Sequence, residues 1–290
     1  MNKLNKKFAV LGHPISHSLS PQIHSLFAKE FSIDLEYKKF DVNQDDFDEK
    51  LRKFRKEGFY GLNITLPLKN SAFQICDNLS ERASLCKSVN TITFLENKIF
   101  GDTTDGMGLI NDLKNKAVNL KDKNILLVGA GGSANGILYD LIKTKAKIIF
   151  ITNRTFSKAI KMRDYWLEFS KKNQVSLEVI ESNSFENLNL NLNLNFDLII
   201  NATSSFLNNK ESPISKNVFN YLNDPGVCYE LMYGYKTPFM NEANKKTHLV
   251  FDGLGMLVEQ AAESFYIWHK LKPRIKNVKK FNLNEYKSFC

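Results

Sequence analysis

Three short stretches of this 290-residue chain carry residue types at spacings that could do chemistry. The first is Gly129-Ala130-Gly131-Gly132-Ser133-Ala134, which satisfies G-x-G-x-x-G/A directly after the apolar run "NILLV" and before a helical pattern. In such a motif the first glycine permits a tight turn and the second lets backbone approach a pyrophosphate. The small third residue lets helix pack closely on strand. The helix N-terminus then offers N–H groups and positive dipole to phosphate, although a purely structural turn would have the same spelling. The second stretch lies about 20 residues on, where an NAD site would place an acidic residue on the ribose 2′-hydroxyl. Here the strand "KIIFIT" runs instead into Asn153-Arg154-Thr155, with Lys158 a turn later. A carboxylate there would repel a 2′-phosphate, whereas Arg154 and Lys158 can clasp one through charge-assisted hydrogen bonds; this points to NADP, the alternative being solvated cations at a helix start. The third stretch is "NITLPLK". Ile64, Leu66 and Leu68 share one strand parity, Asn63 and Thr65 the other; Pro67 then ends the pairing and Lys69 follows as a single cation. A lone lysine after a strand is ordinarily just solvated, and the polar pair in the strand is left to be explained.

The elements needed to position these residues can be read from the periodicity. "KFAVLG" is a strand, Ser20 to Phe31 a helix opened by Ser20 with Pro21 in its first turn, and "LEYKKFDV" a second strand. The charged helix "DDFDEKLRKFRKEG" ends at Gly58 before the strand "GLNITLP". That is β-α-β-α-β, the order of a mostly parallel sheet. A helix through "AFQICDNLSERASLC", a strand "SVNTITF", a turn at Glu96 to Lys98, "IFGDTTDG" and a connecting helix "MGLINDLKNK" follow, with a domain boundary near Asp105. A fresh β-α-β series begins at "KNILLVGAGG" and runs through "SLEVIE" and "FDLIINATS" to "GVCYELMY". Between them "NLNLNLNLNF" alternates like a strand, but its low complexity favours a polar loop. Near the end, "FDGLGMLVEQAAESFYIWH" is helical, with Leu254, Leu257, Val258, Ala261, Phe265 and Trp268 on one side and Gly253, Met256 and Gln260 on its flank. Such a helix could bury its stripe in one domain and present Gln260 to a cleft.

Composition excludes several classes. The net charge of +9 comes from lysines scattered over loops and termini, without the Arg-rich, aromatic-interleaved stripe of a nucleic-acid surface. Cys76, Cys86, Cys228 and Cys290 form no Cys-x-x-Cys pair, so neither a zinc site nor a disulfide framework is expected. No run approaches the roughly 18 apolar residues of a membrane span, and the start "MNKLNKKFAVLGHP" has too short an apolar core for a signal peptide. The expected compartment is the cytoplasm. His13, His17 and His24 invite a metal reading, but no carboxylate completes a site, and no metal is expected.

Taken in order, "GHPISHSLSPQIH", "NITLPLK", "VNT", "GDTTDG", "GAGGSA", "NRT", "NATS", "KTPF" and "DGLGMLVEQAA" resemble the shikimate 5-dehydrogenase (shikimate/quinate dehydrogenase) family nearly end to end. The resemblance implies an α/β protein: an N-terminal substrate domain with a mostly parallel sheet (1–105 with 250–290), a Rossmann-type NADP domain (106–249), a C-terminal helix returning to the first domain, and a cleft where both meet. It implies hydride transfer between NADPH and the ketone carbon of 3-dehydroshikimate in the route to chorismate and aromatic amino acids. Lys69 would be the catalytic lysine and Asp105 its partner; a lysine with its ordinary pKa of about 10.4 is protonated at neutral pH and can donate in the reductive direction. Ser18 and Ser20 would bind the substrate carboxylate, Ser20 also standing where a helix cap would. Thr65, Asn90, Asp105, Tyr233 and Gln260 would complete the substrate site with groups able to donate and accept. Gly129, Ala130, Gly131, Gly132, Ser133 and Ala134, with Asn153, Arg154, Thr155, Lys158, Thr203, Gly253 and Met256, would hold NADP. The protein would act on a small molecule as a monomer or homodimer.

Two departures stand out. After "NATS" the family usually carries a Gly-Met-type loop where this chain has Ser205-Phe206-Leu207, and "YELMY" has Glu230 where aspartate is commoner. An NAD-using quinate/shikimate dehydrogenase and a non-catalytic shikimate-binding sensor are the alternatives; Arg154 with Lys158 opposes the former, and the presence of both Lys69 and Asp105 the latter.

Overall fold

The computed structural model describes residues 6–185, 195–206, 211–275 and 278. The Asn-Leu repeat expected to be a loop, and Leu207 after it, lie outside these. The described residues form two compact units: those up to Leu109 together with those from Leu257 on, and Ile110–Met256.

In the first unit, β1 (Lys7–Gly12), α1 (Ser20–Glu30), β2 (Glu36–Asp41), α2 (Phe47–Lys56) and β3 (Phe59–Ile64) follow one another as the periodicity requires. The sheet continues through β4 (Asn78–Leu79), β5 (Thr91–Leu95) and β6 (Lys98–Asp102) in the order β2-β1-β3-β5-β6-β4. β1 pairs parallel with β2 and β3, β4 parallel with β6, and only β3–β5 and β5–β6 are antiparallel. α2 shows why such a helix forms and stays: Phe47, Leu51 and Phe54 bury one stripe, with Asp48 and Glu49 in the first turn and Lys53, Arg55 and Lys56 in the last to complement the dipole.

The single helix expected through "AFQICDNLSERASLC" is instead two, α3 (Lys69–Ile75) and α4 (Glu81–Cys86), with β4 between. Sheet pairing overrides helical pattern here. Asp77 N–H donates to the Ile99 carbonyl, Asp77 Oδ2 accepts from Ile99 N–H, Ser80 N–H donates to the Gly101 carbonyl, and Ser80 Oγ caps α4 by accepting from Ala83 N–H. The strand through "NIT" also stops earlier than expected, at Ile64, so Lys69 opens a helix rather than ending a strand.

The last long helix, α9 (Leu254–His269), does return: from Leu257 on it belongs to the first unit, burying Val258, Ala261, Phe265 and Trp268. Trp268 Nε1 donates to the Ile92 carbonyl at 3.1 Å, and its ring lies so close to Gly61 that any Cβ there would collide with it.

In the second unit, β7 (Asn124–Val128), β8 (Ile148–Thr152), β9 (Ser176–Val179), β10 (Phe196–Asn201), β11 (Leu222–Glu230) and β12 (Val250–Phe251) make an all-parallel sheet in the order β12-β11-β10-β7-β8-β9. β7, β8 and the end of β10 are continuous buried apolar runs, as strands covered on both faces are. α6 (Gly132–Lys143) follows β7, α7 (Phe156–Lys172) follows β8, and α8 (Pro238–Ala243) follows β11; α5 (Asp105–Asn115) leads in from the first unit. The strand order runs from β7 to β9 on one side and from β10 to β12 on the other. The carboxyl ends of β7 and β10 therefore flank the topological switch point, where such sheets bind ligands. Among the described residues no helix is long and apolar enough to cross a membrane.

Candidate active site

The first unit gathers most of the residues singled out for substrate chemistry. Lys69, first residue of α3, places Nζ 2.6 Å from Asp105 Oδ2, and both side chains are largely covered. The turn between β3 and α3 does this: Leu68 N–H bonds back to the Thr65 carbonyl, and Thr65 N–H donates to the Leu11 carbonyl of β1. Gly12 at the end of β1 is required for that approach, since a Cβ there would run into Thr65 Cγ2. Asp105 opens α5 and accepts from Asn90 Nδ2 at its second oxygen, Oδ1, at 2.9 Å. Asn90 Nδ2 also faces Gln260 Oε1 of α9 at 3.3 Å. Lys69, Asp105, Asn90 and Gln260 thus form one connected cluster.

Ser18 and Ser20 lie together on the approach to α1, with Ser18 Oγ donating to Ser20 Oγ at 3.3 Å. The cap expected of Ser20 is not formed. Ser20 is already helical, Leu19 occupies the N-cap position without a side-chain bond, and it is Ser18 Oγ that accepts from Ser20 N–H. Ser20 is buried and keeps its hydroxyl clear of capping duty. The loop bearing these serines is tied to β2 by Lys39, which donates to the Ser16 carbonyl, and by His13 Nδ1 against Asp41 Oδ1 at 2.6 Å. Tyr233 is the exception among the substrate-site expectations: it lies in the second unit, after β11.

Of the histidines, His24 is fully buried on α1, stacked on Tyr37 at 4.4 Å, and desolvation with a smaller push from His269 brings its pKa down to about 3. Among the described residues no group of three or more His, Cys, Asp or Glu side chains is placed to hold a metal ion.

In the second unit the glycine turn sits at the switch point. Gly129 follows β7 with φ +117, a conformation for glycine, and its N–H donates to the Thr152 carbonyl at the end of β8. Ala130 N–H and Asn153 Oδ1 satisfy each other at 3.2 Å, and Asn153 Nδ2 holds the Thr155 carbonyl; Asn153 therefore braces the turn against the loop that carries Arg154. At Gly131 and Gly132 an added Cβ would meet no protein atom. The fold itself does not demand glycine there, and the first-turn N–H groups of α6 have no intrahelical partner, as a phosphate seat would require. Ala134 is buried where helix meets strand. Arg154, Thr155 and Lys158 are exposed, and among the described residues neither cation is paired with a carboxylate. Thr203, after β10, lies against Gly129, its hydroxyl donating to Asn201 Oδ1 at 2.8 Å. These residues fit a dinucleotide bearing an extra phosphate. Gly253 has a local job besides, since a Cβ there would strike the Leu231 carbonyl; Met256 lies half-buried in the first turn of α9.

Some working residues escaped the sequence reading. Glu230 is more than a substituted aspartate: fully buried, it accepts from Asn201 Nδ2 at 2.7 Å, Thr237 Oγ1 at 3.0 Å and Met232 N–H at 3.1 Å, and so ties "NATS" to "KTPF". Burial holds its carboxyl above the usual range despite those bonds. Asn63 and Thr104 bond Asn90 directly, and Ser264 joins them through Asn63 and Thr91. Their signal was present for Asn63, a polar residue in an apolar strand, but its partners are distant in sequence.

Three family profiles match the chain in succession: the shikimate dehydrogenase substrate binding domain over residues 10–92, shikimate/quinate 5-dehydrogenase over 112–211, and the shikimate 5′-dehydrogenase C-terminal domain over 253–280. A shikimate dehydrogenase (NADP(+)) of Vesicomyosocius okutanii is 43% identical over 275 residues, covering 94% of this chain and 97% of that protein. The corresponding protein of Acinetobacter baumannii strain AYE is 37% identical, covering 94% and 99%. The crystal structure of shikimate 5-dehydrogenase from Thermus thermophilus in complex with NADP(H) and shikimate superposes with a TM-score of 0.81 at 28% identity, covering 98% of this chain and 99% of that one. Succession of profiles, end-to-end identity and shared fold agree, and the chain belongs to the shikimate dehydrogenase family.

Proposed function

We propose that the protein is an NADP-dependent shikimate dehydrogenase that reversibly reduces 3-dehydroshikimate to shikimate in the route to chorismate and the aromatic amino acids. The observation that carries this reading is the Lys69–Asp105 pair at 2.6 Å, joined to Asn90 and Gln260 within one chain-wide family match. When bound, NADPH supplies the hydride that goes to the ketone carbon. Lys69 donates the proton that the developing alkoxide needs, its ammonium also stabilising that oxygen as charge builds. Asp105 holds the ammonium in place through Oδ2 and offers an acceptor to a ring hydroxyl. Ser18 and Ser20 take the substrate carboxylate, and Thr65, Asn90 and Gln260 the remaining hydroxyls. That division makes the first unit the substrate domain and the second the NADP domain.

For the cofactor, the turn Gly129 to Ala134 at the start of α6 would hold the pyrophosphate, and Thr203, Gly253 and Met256 would complete the NADP site. Arg154 and Lys158, lacking carboxylate partners among the described residues, take the 2′-phosphate, assisted by Asn153 and Thr155. This argues against NAD as the working cofactor. The protein works in the cytoplasm, where Cys76, Cys86 and Cys228 stay reduced, as a monomer or homodimer.

The test is spectrophotometric. Purified protein given shikimate and NADP+ should form NADPH, faster than with NAD+ and faster than with quinate as substrate. Absence of shikimate-dependent NADPH formation by folded protein would overturn the reading and leave a binding protein.

A further inference from the structure

We propose that Asn63 is a positioning residue: its buried amide sets the direction of a hydrogen-bond chain that ends on Asp105 Oδ1 and so orients the carboxylate that faces Lys69. The proposal rests on the assignment of Lys69 and Asp105 made above.

The direction of the chain follows from donor and acceptor identity. Asn63 Nδ2 lies 3.1 Å from the Asn90 carbonyl, which can only accept, so the nitrogen must point that way and Oδ1 must point the other. Oδ1 then accepts from Tyr37 O–H at 2.7 Å, while Nδ2 donates its second hydrogen to Ser264 Oγ of α9 at 2.9 Å. The Asn90 amide is fixed in the same way: Oδ1 accepts from Thr104 N–H at 2.9 Å, so Nδ2 is the group facing Asp105. Between the two amides stand two hydroxyls. Thr91 donates to Asn90 Oδ1 at 2.8 Å, and the only proton left for the 2.8 Å contact between Thr91 and Ser264 is Ser264's own, its other acceptor, the Gln260 carbonyl, being farther at 3.1 Å. The sequence of donors is therefore Tyr37, Asn63, Ser264, Thr91, Asn90, and finally Asp105 Oδ1, with Lys69 on Oδ2.

Every inner member is buried: Asn63 is 5% exposed, Asn90 3%, Thr91 1% and Ser264 0%. In such surroundings successive bonds polarise one another, and a reversed or missing member leaves a buried group unsatisfied. Asn63 is the one member that reaches β2, β5 and α9 at once, through Tyr37, Thr91 and Ser264. Its removal frees the hydroxyls to turn, and the loss reaches the acid–base pair without any contact between Asn63 and substrate.

The experiment is a kinetic cycle. Asn63→Ser keeps a small polar side chain but removes the amide; kcat should fall by about 10- to 100-fold, as for misplacement of a catalytic group. KM for NADP should stay put and KM for shikimate should move far less than kcat. Combined with Asp105→Asn, the double variant should be no slower than Asp105→Asn alone, because both act through the same carboxylate. Additive losses, or a wild-type kcat in Asn63→Ser, would overturn the proposal. If Asn63→Ser fails to fold, Ser264→Ala cuts the same chain one bond further on and is read by the same cycle, with the same two outcomes. Should Lys69→Ala and Asp105→Asn themselves retain full kcat, the acid–base assignment fails and the proposal with it; if they lose activity while the Asn63 variant does not, only the positioning role is refuted.

Discussion

On the proposed assignment, the two units solve binding problems by opposite means. In the first, the site is made of side chains whose donors and acceptors are committed to one another: Lys69 to Asp105, Asp105 to Asn90, Asn90 to Thr104 and Gln260. In the second, the site is made of backbone and open cations: a glycine turn at a switch point, Gly131 and Gly132 facing empty space, and Arg154 and Lys158 exposed. The contrast follows from the ligands. A small polyhydroxylated acid presents hydroxyls that must be distinguished one by one, which needs preorganised groups of defined direction. A phosphate presents charge and several equivalent oxygens, which N–H groups and guanidinium satisfy without a rigid surround.

The sharpest way to break the comparison is Lys69→Ala. In that variant kcat should drop by about 10²–10⁴ while the fold and NADP affinity are kept. A loss confined to KM would make Lys69 a binding residue instead. Next is Arg154→Ala. Charged hydrogen bonds to the 2′-phosphate of roughly 1.5–3 kcal/mol translate into about tenfold to more than a hundredfold in kcat/KM for NADP, with little change for NAD. Equal losses with both cofactors would reduce Arg154 to a solvated cation. Lys158 shares that charge, so the double variant should lose more than either alone.

Acid should separate the units as well. His24 takes a proton near 6.5 when unfolded but only near about 3 in the fold, so its contribution is fully present above pH 6.5 and is lost as pH falls through that window. At about 1.36 kcal/mol per unit, the unfolding free energy should drop by about 2 kcal/mol between pH 6.5 and 5. Urea titrations of His24→Phe should lack that drop. Glu230, in the second unit, has the opposite sign: its raised carboxyl costs stability as pH rises from its unfolded to its folded pKa, so acid relieves it. A wild-type acid dependence in His24→Phe would show that the burial of this imidazole does not govern it.

The smallest effect concerns glycine. Gly12→Ala, forced against Thr65, should destabilise by about 1 kcal/mol, a modest overpacking cost. Gly131→Ala should leave the melting temperature unchanged and weaken NADP alone. Matching thermal losses in both variants would contradict the idea that one glycine serves the protein and the other a ligand.

Much of this was legible without coordinates. The β-α-β order, the turn after β7 and the apolar stripe of α9 are local patterns, with periods of two or 3.6 residues or fixed short spacings, and the structure forms each of these elements. Errors fell where tertiary contacts outbid local preference. The helix through "AFQICDNLSERASLC" broke because pairing Asp77 and Ser80 with β6 satisfies backbone groups that an unbroken helix would have left away from the sheet. Ser20 gave up its cap because the helix begins one residue earlier than expected, with Leu19 at the N-cap and Ser20 already in the first turn.

What the sequence by itself determined is the set of chemical groups and the elements that carry them: the glycine turn after β7, the cations after β8, the lysine after "NITLPL" and the aspartate of "GDTTDG". Only the tertiary structure decided which of them meet and in what orientation. Asn63 and Ser264 are 201 positions apart, Asn90 and Gln260 170, and Lys69 and Asp105 36. No local pattern encodes a bond across such separations. It arises because burying the apolar faces of β3, β5 and α9 together leaves their polar side chains no partner but one another, and burial makes each unsatisfied group costly enough to fix a single direction for the whole chain of bonds.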